Sequence, residues 1–284
     1  MAESGNLYVV ATPIGNLEDI SQRALRVLSE VTVIAAEDTR HTAKLLKHYG
    51  IKTSCLALHE HNESKVVPSL VEKLKQGNEI ALVSDAGTPL ISDPGYLLVR
   101  GAVEHGVNVV SVPGPCAFVA ALSVAGLAAD RFVFEGFLPP KQGQRLKRLA
   151  ALASESRTLI FYESCHRISV CIQDMLHIFG DNRKAVILRE LTKMYEEVIR
   201  GELSDLEKIV LSDERFQKGE YVVVVGGAKE NVDEAWQKAV GTLSLLLEEL
   251  SVSQASKLAA QITGFPKKRL YQYALEYVDG NSSK

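Results

Sequence analysis

Several short segments gather residues able to manage charge, protons or a close-packed ligand, and each stands where an apolar β-type run stops. The densest is Ser84-Asp85-Ala86-Gly87-Thr88-Pro89-Leu90-Ile91-Ser92-Asp93-Pro94-Gly95, with its paired Ser-Asp steps, prolines and glycines. Prolines pre-set the backbone and glycines remove side-chain obstruction, so such a loop can aim amides and carbonyls at a ligand. Asp93 is expected to cap the helix that follows, leaving the rest of the loop to bind. Phe161-Tyr162-Glu163-Ser164-Cys165-His166-Arg167 brings an acid, an imidazole and a guanidinium together. His166 suits acid–base work near neutral pH; the same stretch would also serve as a plain helix start with Glu163 near its N-terminus.

Two glycine- and proline-bearing turns have a similar character. Thr12-Pro13-Ile14-Gly15-Asn16-Leu17 follows the first apolar run, and Gly15 there admits a close backbone approach. The spacing is not GxGxxG, so no dinucleotide fingerprint is present, and an ordinary turn would look the same. Val112-Pro113-Gly114-Pro115-Cys116-Ala117 ends another run. Its small Cys116 and Ala117 leave room for a flat ring, and the segment also reads as a domain linker; clefts between domains are common ligand sites. Arg189-Glu190-Leu191-Thr192-Lys193 and Glu37-Asp38-Thr39-Arg40 fit either solvated helix caps or site charges. Lys141, Arg145, Lys147 and Arg148 either track phosphates or form a wet helix face. His59 and His61 have no further ligand cluster, so no metal site is expected.

The elements that would position these loops are legible as patterns. Leu7–Ala11, Val31–Ala35, Ile80–Val83 and Val107–Val112 read as strands, with helices from Ser21, over Glu63–Gln76 and over Gly95–Glu104. Alternation of this kind predicts a mainly parallel sheet covered by helices. After the Pro-Gly-Pro interruption comes an Ala-rich helix, Ala117–Gly126. A second α/β block then has strands at Arg131–Phe134, Thr158–Tyr162, Ala185–Leu188, Glu197–Arg200 and Tyr221–Val225. The expected organisation is an N-terminal α/β domain over 1–116, a second over 117–228 and a helical tail over 229–284.

The tail predicts Val232–Leu250 with Ala235, Ala239, Leu243, Leu246 and Leu250 on one face. A second helix spans Ser253–Ile262, with Ala255, Leu258, Ala259 and Ile262 inward. Gly264 ends it and Pro266 opens a third. Lys267, Lys268 and Arg269 beside Tyr271 and Tyr273 suit phosphate contact and base stacking; the same helices would also serve as mere packing.

Composition sets outer bounds. The chain has 284 residues, 46% hydrophobic, which suits two α/β domains plus a tail. A formal net charge of -3 counts mildly against a nucleic-acid partner, though it is compatible with a local basic face. Cys55, Cys116, Cys165 and Cys171 form no CxxC pair, which argues against a disulfide framework or zinc site. The start, MAESGNLYVV, lacks a signal-peptide pattern and no apolar run reaches membrane-spanning length. A cytoplasmic protein with no membrane association is the expectation.

TPIGNLEDIS, AAEDTRHT, VSDAGTPLISDPG, VPGPCAFVAALSVAG, FEGFLPPK, FYESCHRI and RELTK occur in that order across nearly the whole chain. Together they resemble the tetrapyrrole (corrin/porphyrin) methylase superfamily. Within it they are similar to the bacterial enzymes that methylate the ribose 2'-hydroxyl of a cytidine in the decoding region of 16S rRNA. The resemblance implies a fold of two α/β domains with a cleft for S-adenosyl-L-methionine (SAM) between them, a homodimer, and 16S rRNA within the small ribosomal subunit as partner. A tetrapyrrole C-methyltransferase of uroporphyrinogen or precorrin type is the alternative in the same fold; a non-catalytic nucleotide- or RNA-binding module is the alternative outside it.

By position, the resemblance implies cofactor contacts at Ala86, Gly87 and Thr88, where the superfamily has a Gly-Gly-Asp-Pro loop. Thr88 stands where relatives carry Asp, and Asp85 supplies an acid three residues earlier. Ile91, the small pair Cys116 and Ala117, Glu163, Leu191 and Ile14 complete the set. A ribose hydroxyl is a weak acid, so transfer requires a base; Glu163, His166 and Glu190 are the candidates. Arg167 or Arg189 would hold an adjacent phosphate, with Arg40, Lys141, Lys267, Lys268 and Arg269 as further RNA contacts. No metal is required.

Overall fold

The computed structural model describes residues 4–228 and 232–281. They fall into two compact units, divided after Ala228. No helix among the described residues is long and apolar enough to cross a membrane.

The first unit opens with β1 (Asn6–Val10), α1 (Gln22–Glu30), β2 (Val33–Ala36), α2 (Thr39–His48), β3 (Cys55–Ala57), α3 (Glu63–Lys75), β4 (Ile80–Val83), α4 (Tyr96–Glu104) and β5 (Asn108–Val112). Five strands lie in the order β3-β2-β4-β1-β5, and every pairing is parallel. All four residues of β2 and of β4 are buried, as expected of strands covered by helices on both faces. Parallel strands all end at the same edge, so the loops after β1, β4 and β5 emerge side by side.

Local chemistry fixes the helices. Ser21 caps α1 by accepting from Ala24 N–H at 3.0 Å, and α1 buries Ala24, Val27 and Leu28. Asp38 caps α2 through Arg40 N–H at 2.8 Å. The expectation that Asp93 caps α4 is overturned. Gly95 holds the cap position in a left-handed conformation, φ 118°, with no side-chain cap of its own. The start of α4 is served instead by Glu63, the first residue of α3, whose Oε1 accepts from Gly95 and Leu97 N–H. The left-handed turn separates Asp93 from the helix it precedes.

The chain continues through α5 (Ala117–Ala125), β6 (Phe132–Phe137), α6 (Gln142–Ala151), β7 (Thr158–Ser164), α7 (Ile168–Phe179), β8 (Lys184–Arg189), β9 (Glu197–Glu202), α8 (Leu203–Ser212) and β10 (Glu220–Val225). The second sheet runs β6-β7-β10-β8-β9, with β6–β7 parallel and the remaining pairs antiparallel. Ala121, Leu122 and Ala125 of α5 pack on Ile160, Leu188 and Val222 of that sheet.

The basic stretch on α6 is not a row of open cations. Arg145 is buried and pairs with Asp174 of α7 at 2.6 Å, while Arg148 pairs with Glu135 at 2.7 Å. Lys141 stays exposed at the start of α6.

The second unit contains α9 (Val232–Leu247), α10 (Val252–Thr263) and α11 (Lys267–Asn281). Its core is Ala239, Leu243, Ala255, Ala259, Leu270 and Ala274. Gly264 closes α10 at φ 76°. The inward face of α10 matches the expected one at Ala255 and Ala259 and departs from it at Leu258 and Ile262. Leu258 and Ile262 are exposed, and Ala255, Ser256 and Ala259 are buried, because small side chains let three short helices approach closely. The Arg269 guanidinium lies 4.1 Å from the centre of the Trp236 ring, a cation–π contact. Lys267 and Lys268 are exposed.

Candidate active site

The loops after β1, β4 and β5 are stitched together. Thr12 and Gly87 exchange backbone hydrogen bonds in both directions, at 2.9 and 3.0 Å. Thr88 Oγ1 donates to Pro115 O at 3.0 Å. Gly87 sits at φ 83°, and a Cβ there would stand 3.2 Å from Ile14 Cγ2. A side chain at this position would therefore be strained and would crowd a neighbour.

Facing these loops are the ends of β7, β8 and β10, and between the two sheets lies a cavity of about 520 Å³. All ten residues expected at the cofactor line it: Ile14, Asp85, Ala86, Gly87, Thr88, Ile91, Cys116, Ala117, Glu163 and Leu191. Elements far apart in sequence thus converge on one space. Its size is that of an ordinary small-molecule site. Lys193, from the loop after β8, runs across to the first sheet, where a Cβ on Gly15 would collide with its side chain.

Acids stand on both walls, with Glu163 and Glu220 beside Lys193 on the second-sheet side. On the first-sheet side stand Glu37, Asp85 and Asp93. Asp85 N–H donates to Glu37 Oε2 at 3.2 Å, and Asp85 Oδ1 accepts from Asp38 N–H at 3.0 Å. Burial pushes the Glu37 carboxyl up; the hydrogen bond from Asp85 N–H opposes this, and the Asp85, Glu60 and Asp38 charges add to it. Burial also pushes Asp93 up to about 6, against a hydrogen bond with Ser84 and with the help of the Glu37 and Asp85 charges. Asp93 was expected only as a helix cap, and Glu37 only as one of two open readings of its segment. Asp93 was hidden by its resemblance to a helix cap, and nothing in the local sequence separates Glu37 from a solvated acid.

The three expected bases occupy distinct settings. Glu163 lines the cavity with its side chain fully buried, accepts from Ser164 N–H at 2.8 Å and pairs with Arg167 at 3.2 Å. His166 lines the mouth and is exposed. Glu190 is not among the lining residues and pairs with Lys193 at 2.9 Å. Burial alone would raise Glu190, but hydrogen bonds from Lys193 and Glu220 N–H and the nearby positive charges outweigh it and hold the carboxyl low. Burial likewise works to lower Lys193, and its pairs with Glu220 and Glu190 reverse the effect.

Most of the expected RNA-contacting arginines have protein partners. Arg40 pairs with Asp38 at 2.8 Å, Arg167 donates to Leu138 O at 2.6 Å, and Arg189 donates to Lys218 O at 3.1 Å.

Comparison with known proteins fits this geometry. Residues 6–207 match the family model of Tetrapyrrole (Corrin/Porphyrin) Methylases, and residues 233–277 match the RsmI C-terminal HTH domain. The protein named Ribosomal RNA small subunit methyltransferase I from Xylella fastidiosa (strain Temecula1) is 53% identical over 271 residues, covering 95% of this chain and 99% of that one. Its namesake from Pseudomonas aeruginosa is 53% identical over 275 residues, covering 96% and 98%. A solved uroporphyrin-III C-methyl transferase from Thermus thermophilus, complexed with S-adenyl homocysteine, is 18% identical with a TM-score of 0.55, covering 78% of this chain and 97% of that one. The chain belongs to the tetrapyrrole (corrin/porphyrin) methylase family, in the group of the ribosomal RNA small subunit methyltransferase I proteins.

Proposed function

We propose that the protein is a SAM-dependent methyltransferase that modifies the ribose 2'-hydroxyl of a cytidine in the decoding region of 16S rRNA. Identity of about half, sustained over nearly the full length of relatives named for small-subunit ribosomal RNA, is the observation that carries this reading. The domain division at 116/117 and 228/229, a homodimeric state and a cytoplasmic location belong to the same proposal. A C-methyltransferase acting on a tetrapyrrole shares the fold, but would have no evident use for the helix-turn-helix match at 233–277.

The cavity fits the cofactor on its own terms. Gly87 keeps one wall low enough for backbone to meet a ligand, and Ile14, Ile91, Ala117 and Leu191 offer apolar surface to a flat ring. Glu37, Asp85 and Asp93 offer negative charge to a cation. When bound, SAM supplies an electrophilic methyl group on a positively charged sulfur. The chain's own work is to align the acceptor hydroxyl and to take its proton. Among Glu163, His166, Glu190 and Asp93, we assign the proton to Asp93. Its carboxyl lines the cavity and titrates near 6, so at neutral pH it is ionised yet more basic than an ordinary carboxylate. Glu163 then acts by fixing Arg167, and His166 guards the mouth.

The test is transfer of a tritiated methyl group to unmethylated 30S subunits, followed by nucleoside mapping. Label in 2'-O-methylcytidine of 16S rRNA is the expected result. Label on a tetrapyrrole and none on RNA would establish the alternative.

A further inference from the structure

A second cavity, of about 380 Å³, lies against the same loops and shares Asp85 with the first. One wall is α2. His41, Lys44 and His48 stand three and four residues apart, which places them along one stripe of that helix. All three line the cavity and are exposed. Pro13 and Leu17 of the loop after β1, with Leu45 of α2, give the same space an apolar side. Arg40, one residue before the stripe, folds back on Asp38 through two side-chain hydrogen bonds.

We propose that this cavity receives a nucleotide of the substrate strand. Its base lies against Pro13, Leu17 and Leu45, its phosphate lies on His41, Lys44 and His48, and its sugar turns toward Asp85. The inference rests on the RNA-methylating reading above and adds where the strand sits. Apolar surface beside a basic stripe is the pairing that a nucleotide presents in reverse. The charge distribution supports the placement. A chain of net charge -3 gains no general attraction for a polyanion, so a local basic face must hold the phosphates. The acidic wall of Glu37, Asp85 and Asp93 repels a phosphate from the neighbouring cavity. Repulsion on one side and attraction on the other orient the strand, leaving a hydroxyl rather than a phosphate nearest the acids.

The experiment compares wild type with a Lys44→Ala, His48→Ala double variant and with Lys44→Arg. Both altered positions are exposed, and an unchanged melting temperature confirms folding. SAM affinity, measured by calorimetry, is expected to be unchanged. With unmethylated 30S subunits the double variant should show KM raised roughly tenfold or more and kcat within about twofold. Its slope of log(kcat/KM) against log salt should be shallower by about one to two, and Lys44→Arg should retain wild-type behaviour. A double variant with unchanged KM and salt slope, beside an active wild type, overturns this inference alone. A loss confined to kcat with the slope unchanged overturns it as well. A wild type that binds SAM but transfers nothing to the subunits overturns the substrate reading, and this inference with it.

Discussion

Glu63 and Gly95 are joined by a hydrogen bond of 2.9 Å, through which a carboxylate at the start of one helix caps the start of another. Leu97 N–H, at 3.3 Å, is the second donor to the same oxygen. Glu63→Ala should cost about 1–3 kcal/mol, the range for a lost cap and an unsatisfied buried donor. Urea unfolding measures it. Glu63→Gln, which keeps the acceptor oxygen, should cost less.

Gly87→Val tests the proposed placement of the cofactor. The residue sits at φ 83°, with Ile14 3.2 Å and Pro115 O 3.7 Å from the position of an added Cβ. Left-handed strain of about 1–3 kcal/mol and crowding of the cavity should act together. Calorimetry should show SAM affinity reduced at least about tenfold in protein that still folds; unchanged affinity would place the cofactor elsewhere.

Asp93→Asn should reduce kcat by about 10²- to 10⁴-fold, the usual contribution of a general base. In wild type, the base is active when ionised, so kcat/KM should rise with pH through about 6 and then level. Stability runs the other way. The folded carboxyl is raised above its ordinary 3.8, so the group's contribution is full below that value and is lost as pH rises through about 6. Asp93→Asn should therefore be the more stable protein at pH 8, by about 1 kcal/mol after allowance for partial exposure. Thermal melts at pH 4 and 8 check both signs.

Asp174→Ala leaves Arg145 charged, buried and without its 2.6 Å partner. Arg145 would keep only its hydrogen bonds to the Pro139 and Pro140 carbonyls. A destabilisation of about 3–5 kcal/mol is expected, and chemical denaturation is the measurement.

Ending the chain after Ala228 removes a unit that has its own core. SAM affinity should be retained and methylation of 30S subunits should weaken. Equal rates for the truncated and full chains at physiological salt would show that the tail is structural.

Much of this architecture was readable from patterns, for identifiable reasons. Fully buried strands such as Ile80–Val83 announce themselves as apolar runs, and loops rich in Gly and Pro mark where those runs end. β3 escaped notice because three residues carry too little periodicity. Asp93 and Glu37 were not singled out for the site because a carboxylate's setting depends on what folds over it: the left-handed turn at Gly95 for one, the Asp85 backbone for the other. The α6 arginines failed in the opposite sense. A basic run looks the same whether it meets water or, as with Arg145, an aspartate on the neighbouring helix.

β4 is the middle strand of its sheet, and all four of its residues are buried. The cavity loop grows directly from it. Amides of Ile80–Val83 should accordingly exchange with deuterium only through the rarest openings of the molecule. Terminal helices and the edge strand β3 can fray many times while that strand stays paired. The cavity loop is thereby rooted in a strand that parts only when its sheet does, and ligand affinity should hold up to the global transition rather than decline ahead of it.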